Sequence, residues 1–219
     1  MKNYLETFYN FEKKPVSSYP EHFVSYNFNR FNLNNTKLLE IGCGRGDFIN
    51  RFAERNLDCY ATDVLLGVEK YLNKKVSFSQ NDISKNQLPY DDDFFDAIYT
   101  KSVIEHLDNH EIFFNECKRV LKKGGKLIIY TPDWETQYLH FYDDLTHVKP
   151  FTKRSLESCF KLFGFRNFEI EEFYQLPIIW KFPTLKYLAK VIAIFVPIRS
   201  KIKIFRFSKE LMLLGYAIK

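Results

Sequence analysis

Short apolar runs alternate along this chain with stretches in which apolar residues recur every three or four positions. The first two runs end at Gly42 and Asp63, and short apolar runs bounded in this way are typical of buried strands. They predict strands at 37–41, 58–62, 76–79, 97–100, 126–130, 167–173 and 211–219. Strands that alternate with helical patterns in this way predict an α/β fold, with a parallel sheet covered by helices on both faces.

The helical stretches carry recognisable ends. Between 109 and 121, apolar residues fall at helical spacing on one face: Ile112, Phe113, Cys117 and Val120. A second helix is predicted after Phe151, with Thr152 as its N-cap and Gly164 as its stop. Residues 1–36 are rich in Tyr, Phe and Asn and are interpreted as a helical N-terminal cover.

A glycine-rich turn follows the first predicted strand. The strand ends at Ile41, and glycines then stand at alternate positions: Gly42, Gly44 and Gly46. Glycine adopts positive φ and lets a ligand approach the backbone. Apolar spacing resumes at Phe48, so we expect a helix from about Asp47 whose free N–H groups point into the turn. The pattern predicts a site for a polar or anionic small molecule at the carboxyl end of the strand.

An acidic residue closes the second predicted strand. Asp63 lies 21 positions after Gly42, where a nucleotide-binding α/β unit places the carboxylate that accepts from ribose hydroxyls. The ligand is therefore predicted to contain a ribose.

Five motifs in one order resemble the class I S-adenosylmethionine (SAM)-dependent methyltransferases. The Gly-x-Gly-x-Gly turn with Glu40 before it and Asp63 after it resembles their first motif. The others are Asn81-Asp82-Ile83, the Leu88-Pro89 to Phe95-Asp96 segment, Ser102 to Leu107, and Arg119 to Ile129. The resemblance covers about residues 37–173, and 211–219 fits the family's last strand. It is nearest to the group that acts on small molecules, quinones and cell-surface sugars.

The resemblance implies the fold and the cofactor. It implies a Rossmann-like, doubly wound sheet of seven strands with the last strand antiparallel. It implies one methyltransferase domain over 1–219, made of the cover (1–36), a SAM-binding core (37–175), an inserted lid (176–207) and a final strand (208–219). The implied cofactor is SAM, with S-adenosylhomocysteine as product, and its predicted contacts are Glu40, Gly42, Cys43, Gly44, Gly46, Asp63, Val64, Asp82, Ile83, Lys101 and His106.

A hydroxyl acceptor needs a base to take its proton, and a histidine suits that role near neutral pH. The candidates on the acceptor side are His147, His106, His140 and Asp144; the Asp144-x-Thr146-His147 segment resembles an acceptor-side motif of glycan methyltransferases. Aromatic residues crowd the same loop and suit either lid packing or a sugar ring: Trp134, Tyr138, Phe141 and Tyr142. No ligand set accompanies Asp143 and Asp144, so no metal is predicted.

These features favour O-methylation of a saccharide or a related cell-surface polysaccharide precursor. This acceptor is either free or carries a phosphate or lipid group. A lipid-linked, quinone-like or amine acceptor at a membrane surface is an alternative. Two further alternatives are a nicotinamide-dependent oxidoreductase and a non-catalytic, membrane-associated scaffold. Glycine spacing argues against the oxidoreductase.

One late segment of the chain is more basic than the rest. The net charge is +5, yet residues 173–209 contain no Asp or Glu and eight basic residues: Lys181, Lys186, Lys190, Arg199, Lys201, Lys203, Arg206 and Lys209. Large apolar residues alternate with them, and Pro177, Pro183 and Pro197 predict short helices rather than one long one. The segment is either a lid on the acceptor pocket or a surface for anionic lipid. No nucleic-acid-binding module accompanies it.

Composition and hydropathy indicate the cellular compartment. The polar first residues do not resemble a signal peptide, and the longest apolar run, 191–196, is far below the ~20 residues that span a bilayer. Four scattered cysteines show no metal or disulfide spacing. We expect a cytoplasmic enzyme, with peripheral contact to the inner membrane face through 176–207 as an option.

Overall fold

The computed structural model of the protein describes residues 15, 17–197 and 200–219. Much of the predicted N-terminal cover lies outside the described residues. Its described part contains helix α1 (Tyr19–Arg30), which has a proline in its first turn and buries Phe23 and Val24. Proline suits that position because its missing N–H would have no helical partner there.

Seven strands of the described part of the chain form one sheet, which confirms the predicted architecture. They are β1 (Lys37–Ile41), β2 (Asp58–Asp63), β3 (Val76–Gln80), β4 (Phe95–Lys101), β5 (Leu121–Pro132), β6 (Arg166–Phe173) and β7 (Met212–Ile218). The strand order is β3-β2-β1-β4-β5-β7-β6, with the last strand antiparallel. Strand β1 pairs in parallel with β2 and β4, so that Leu38 faces Cys59 on one side and Ala97 on the other.

The helices between the strands largely match the sequence prediction. They are α2 (Ile49–Ala53), α3 (His110–Val120), α4 (Trp134–Gln137) and α5 (Lys153–Leu162). Asn109 caps α3 by accepting from two backbone N–H groups, and Thr152 and Ser155 form a capping box on α5. Gly164 ends α5 at φ +70°.

The helix after the glycine turn differs from its prediction. It begins at Ile49 rather than Asp47 and has only five residues. A helix this short gives little dipole, and the role of its first N–H groups in holding a ligand stays a prediction.

The chain divides into two compact units. The first comprises the described residues up to Thr100 together with Asn109–Leu127 and Ile218–Lys219; the second comprises Lys101–Asp108 and Ile128–Ala217. Fully buried side chains of the first core include Leu38, Ile98 and Phe113, and those of the second include Tyr130 and Phe160. The assignment of 1–219 to a single methyltransferase domain stays a prediction.

The late basic segment consists of short helices, as its prolines predicted. They are α6 (Pro177–Lys181), α7 (Leu185–Phe195) and α8 (Lys203–Lys209). Pro177 opens α6, and Pro183 and Pro197 stand between the helices, where no backbone donor is needed. Among the described residues, no helix is long and apolar enough to cross a membrane.

Candidate functional site

The glycine turn after β1 depends on backbone conformations that side chains disfavour. Gly42, Gly44 and Gly46 have φ values of +76°, +52° and +76°. The Gly42 and Cys43 N–H groups donate to the Thr62 carbonyl at 2.8 and 3.2 Å, which fastens the turn to β2. At Gly46 an added Cβ would lie 2.7 Å from Leu72 and 2.8 Å from Asn50. The turn therefore requires glycine for conformation and, at Gly46, for space.

Asp63, at the end of β2, is bound to that turn. Its Oδ2 accepts from the Gly44 N–H at 2.7 Å, and its Oδ1 accepts from the Leu65 N–H at 2.9 Å. Burial raises the pKa of Asp63, against the hydrogen bonds from backbone N–H groups. Two carboxylate oxygens offer about four acceptor positions, so the group can still accept from a ligand hydroxyl. This geometry fits a ribose-bearing ligand.

Other residues predicted on the cofactor side have varied surroundings. Glu40 and Cys43 are buried, and burial together with Glu40 raises the pKa of the Cys43 thiol. Ile83 is buried, whereas Val64 is 44% exposed and offers an apolar face. The neighbouring Asp82 accepts from Ser84 and Lys85.

The surroundings of Asp82 lower its pKa overall. Burial raises that pKa, but the hydrogen bonds from Ser84 and Lys85 outweigh burial and lower it. Lys101 and His106, predicted with the cofactor residues, belong to the second unit.

A cluster of one carboxylate and two histidines stands in the second unit. Glu105 and His106 lie in a 3₁₀ turn (Ile104–His106), and His147 lies 41 positions later. One ligand atom from each of the three side chains lies within 4.8 Å of the others, and the two imidazole centroids are 4.7 Å apart. The N–H groups of Val148 and Lys149 donate to the Glu105 carbonyl at 2.9 and 3.1 Å. These bonds hold the two segments together.

The tautomer of His106 follows from its neighbours. Its Nδ1 lies 3.0 Å from the Thr146 carbonyl and 2.9 Å from the Thr146 Oγ1. The single hydroxyl proton of Thr146 points to Asp144 Oδ1 at 2.6 Å, so both Thr146 oxygens face Nδ1 as acceptors. Nδ1 must carry the proton, and Nε2 keeps a lone pair. Burial lowers the pKa of His106, which favours this neutral form.

His147 is oriented in the same way. Its Nδ1 lies 2.6 Å from the Phe141 carbonyl, which can only accept, so Nδ1 donates and Nε2 is unprotonated in the neutral ring. The ring also packs on the Phe141 ring, with centroids 4.4 Å apart. Two Nε2 lone pairs with defined orientation therefore belong to neighbouring imidazoles.

Glu105 is fully buried beside them. Its Oε2 accepts from the Thr131 hydroxyl at 3.0 Å, and its Oε1 has no hydrogen-bond partner among the residues that the structure describes. Burial raises the pKa of Glu105 to about 7, against the smaller opposing effects of its own backbone N–H, Thr131 and Lys101. A buried carboxyl oxygen without a partner is costly, which is typical of a functional site.

Asp144 contacts the cluster through Thr146. Its Oδ1 accepts from both the N–H and the hydroxyl of Thr146, at 3.0 and 2.6 Å. Burial raises the pKa of Asp144, but the hydrogen bonds from Thr146, with electrostatic effects of His147 and His106, outweigh burial and lower that pKa. This geometry places Asp144 as a residue that orients Thr146 and, through it, His106.

His140, the remaining candidate base, lies in different surroundings. It lines a cavity of about 470 Å³ in the second unit with Lys190, Arg206 and Glu210; that lining does not include His106 or His147. Its Nε2 is 3.6 Å from Glu210, too far for a hydrogen bond. Neither ring nitrogen has a hydrogen-bond partner within the described part of the chain.

The aromatic residues of the loop divide into buried and exposed members. Phe141 is buried and contacts Trp134 edge to face at 5.5 Å. Tyr138 and Tyr142 pack on Trp134 but are each 54% exposed. The group thus supports the loop and also presents two aromatic rings to solvent.

Glu105 lies within the motif at 102–107 but had no predicted role, and Thr131 was not predicted at all. Thr131 carries no local signal, because only the sheet brings it to Glu105. The adjacency of Glu105 to His106 was the one available hint.

Comparison with known proteins gives consistent results. A family model described as a methyltransferase domain matches residues 14–170. An uncharacterized protein of Methanocaldococcus jannaschii is 30% identical over 172 residues, which cover 77% of this chain and 72% of that protein. The sterol 4-C-methyltransferase strm-1 of Caenorhabditis elegans is 27% identical over 126 residues, covering 52% of this chain and only 38% of that enzyme.

A solved structure is similar over the whole length. The crystal structure of a SAM-dependent methyltransferase from Archaeoglobus fulgidus matches with a TM-score of 0.69, covering 99% of this chain and 100% of that one. The sequence identity is 20%, so this likeness concerns the fold.

Proposed function

The chain belongs to the class I SAM-dependent methyltransferases, and from that premise we propose that it O-methylates a saccharide, such as a precursor of a cell-surface polysaccharide. Membership sets aside the oxidoreductase and the non-catalytic scaffold. SAM supplies a methyl group already activated by its sulfonium. The protein must therefore bind the cofactor, orient the acceptor and remove its proton.

The cofactor assignment rests on the glycine turn and Asp63. In this proposal Asp63 accepts from the ribose hydroxyls while Gly42, Gly44 and Gly46 leave room beside the backbone. Asp82, Ile83 and the exposed face of Val64 frame the adenine. Glu40, Cys43, Lys101 and His106 complete the proposed contacts.

The histidine cluster is the observation that carries the acceptor assignment. His147 has an Nε2 lone pair held in place by the Nδ1 bond to Phe141, and this lone pair accepts the hydroxyl proton of the acceptor. His106 stands beside it with a second oriented lone pair. Asp144 serves as a positioning residue, and His140 remains a weaker candidate for substrate contact.

The exposed aromatic rings support a saccharide. Tyr138 and Tyr142 present faces on which the apolar side of a sugar ring can pack. They lie in the same loop that supplies His147, so one short segment would both hold and activate the acceptor.

The test is S-adenosylhomocysteine production by the purified protein with separated aqueous and lipid extracts of the source cell. The expected result is turnover with the aqueous fraction. Mass spectrometry should then identify the methylated acceptor in that fraction as a glycan. Turnover with protein or nucleic acid alone would contradict the proposal. His22→Ala, an exposed histidine on α1, serves as the matched control for substitutions at His147.

An acceptor at a membrane surface is a second candidate, covering lipid-linked, quinone-like and amine acceptors. Helix α7 exposes large apolar residues at helical spacing on one face: Tyr187, Leu188, Val191, Ile194 and Phe195. The segment around it carries lysines and no acidic residue, which suits anionic lipid. This version places the enzyme in the cytoplasm, peripherally on the inner membrane face.

Vesicle sedimentation separates the two versions. Binding to phosphatidylglycerol but not phosphatidylcholine vesicles, lost in a Ile194→Ser, Phe195→Ser variant, supports the membrane version. Leu162→Ser is the control, because Leu162 is 79% exposed on α5, outside the late segment. Equal sedimentation of all variants would make the segment a lid only.

A further inference from the structure

We propose that Glu105, His106 and His147 form a binding site for a divalent transition-metal ion such as Zn²⁺. Two imidazoles and one carboxylate are a donor set found in catalytic zinc sites, and imidazole favours such ions over Mg²⁺ or Ca²⁺. The inference rests on the cluster used in the proposed function and assigns it a ligand. It departs from the sequence prediction of no metal, which considered Asp143 and Asp144 rather than Glu105.

The spacing of the donor atoms suits a metal site. One ring nitrogen of each histidine and one carboxylate oxygen of Glu105 lie within 4.8 Å of one another. Ligands of a tetrahedral zinc ion, each about 2.1 Å from the metal, stand roughly 3.4 Å apart. Side-chain rotations that move each donor by about 1 Å close that difference.

The outer hydrogen bonds match those that metal-binding histidines make. Such a histidine donates its second ring N–H to a carbonyl or carboxylate, which aims the other nitrogen at the metal. His106 donates to the Thr146 carbonyl, and His147 donates to the Phe141 carbonyl. Both Nε2 lone pairs are therefore defined in advance. His140 has no such bond among the described residues, and it stands outside the cluster.

The third donor also lacks a partner. Glu105 is fully buried; Thr131 bonds one carboxylate oxygen, while the other has no hydrogen-bond partner among the described residues. Placing a carboxylate oxygen in a buried site without a partner is unfavourable. A bound cation would satisfy that oxygen, and Thr131 would serve as its outer hydrogen bond.

A metal would change how the cluster acts. Three protein ligands leave a fourth position, which an oxygen of the acceptor can take. Coordination lowers the pKa of a bound hydroxyl. The Nε2 lone pair of His147 cannot hold a metal and accept a proton at once. In the metal-bound protein the coordinated hydroxyl would therefore lose its proton to solvent water, and the resulting alkoxide oxygen would take the methyl group from SAM.

Metal titration of the untagged, chelator-treated protein tests the site directly. Co²⁺ should give visible d–d absorption that saturates at one ion per chain, and Zn²⁺ should displace it. His147→Ala and Glu105→Gln should each weaken Co²⁺ binding more than about 100-fold, because the loss of an outer hydrogen-bond partner alone costs about 10–100-fold. Thr131→Val should weaken it less, and His22→Ala and His140→Ala should bind as the parent does. Unchanged thermal melting shows that each variant is folded.

Failure of this proposal can be told from failure of the proposed function. Absence of saturable Co²⁺ binding, or binding that survives both His147→Ala and Glu105→Gln, overturns the metal site. Turnover by the chelator-treated protein would then leave His147 as the base. Stoichiometric binding at the cluster without methyl transfer to any hydroxyl acceptor would instead retain the metal site and overturn the proposed function.

Discussion

The glycine turn of the first unit and the histidine cluster of the second are built from different parts of the chain. The turn consists of backbone conformations and N–H groups within a few residues, tied to Asp63 by one bond from Gly44. The cluster consists of side chains from two separate segments, Glu105 with His106 and, 41 positions after His106, His147. Hydrogen bonds with Thr131, Thr146 and Phe141 hold these side chains. Local sequence constrains the first kind of site strongly and the second kind weakly.

The largest effect should come from the cluster, because it is proposed to perform the chemistry. His147→Ala removes the oriented Nε2 and should lower turnover by about 10²–10⁴, the usual contribution of a positioned proton acceptor. SAM affinity, measured by calorimetry, should stay within about twofold of the parent, a difference under 0.5 kcal/mol. His22→Ala should leave both unchanged. A fully active His147→Ala variant would reject the role of the cluster.

The next effect concerns space in the turn. Gly46→Val places a β-branched residue at φ +76° and pushes its Cβ into Leu72 and Asn50. Backbone strain of about 1–2 kcal/mol and steric overlap of about 1–3 kcal/mol should together destabilise the folded protein and lower its melting temperature. The distorted turn should also bind SAM about 100-fold more weakly.

Gly67→Val provides the matched control for that substitution. Gly67 has nearly the same φ, +77°, but an added Cβ there meets nothing within 4 Å. Gly67→Val should therefore show only the effect of backbone strain. Its melting temperature should fall less than that of Gly46→Val, and its SAM affinity should match that of the parent protein. Equal losses in both variants would mean that space at Gly46 is unimportant.

The sequence predicted the turn well for a physical reason. Glycines at alternate positions, a strand before them and Asp63 after the next strand are all encoded within about 25 residues. The central strands were also predictable, since β4 and the second half of β5 are mostly apolar and buried, whereas β3 and β6 are only partly buried and mix polar with apolar residues. The start of α2 was wrong by two residues, because nothing local distinguishes Asp47 in the turn from a helical first residue.

The cluster could be predicted only in part. His106 and His147 were singled out, but their 4.7 Å separation depends on the bonds from Val148 and Lys149 to the Glu105 carbonyl. No sequence pattern encodes such bonds. His140 was ranked with them for its place in the same loop, and the structure instead puts it near Glu210.

A smaller effect compares two carboxylates of the cofactor side. Asp63→Ala removes the buried acceptor bound to Gly44 and should lower SAM affinity at least tenfold, about 1.4 kcal/mol. Asp82→Ala should cost less, because Asp82 is partly exposed and bonds mainly with its neighbours Ser84 and Lys85. Calorimetry with SAM and S-adenosylhomocysteine measures both. Unchanged affinity in Asp63→Ala would reject the ribose assignment.

The smallest effect should come from Asp144, and it decides whether that residue reacts or positions. As a positioning residue it needs only an oxygen that accepts from Thr146, which asparagine also supplies. Asp144→Asn should therefore keep kcat within about threefold, whereas Asp144→Ala should lose about five- to tenfold, the value of one hydrogen bond of about 1 kcal/mol. The nitrogen NMR shifts of His106 provide a second measurement: the Nδ1–H form should persist in Asp144→Asn and mix with the Nε2–H form in Asp144→Ala. If Asp144→Asn is as inactive as His147→Ala, the carboxylate charge itself takes part in the reaction, and the sequence prediction of a catalytic Asp144 is the correct one.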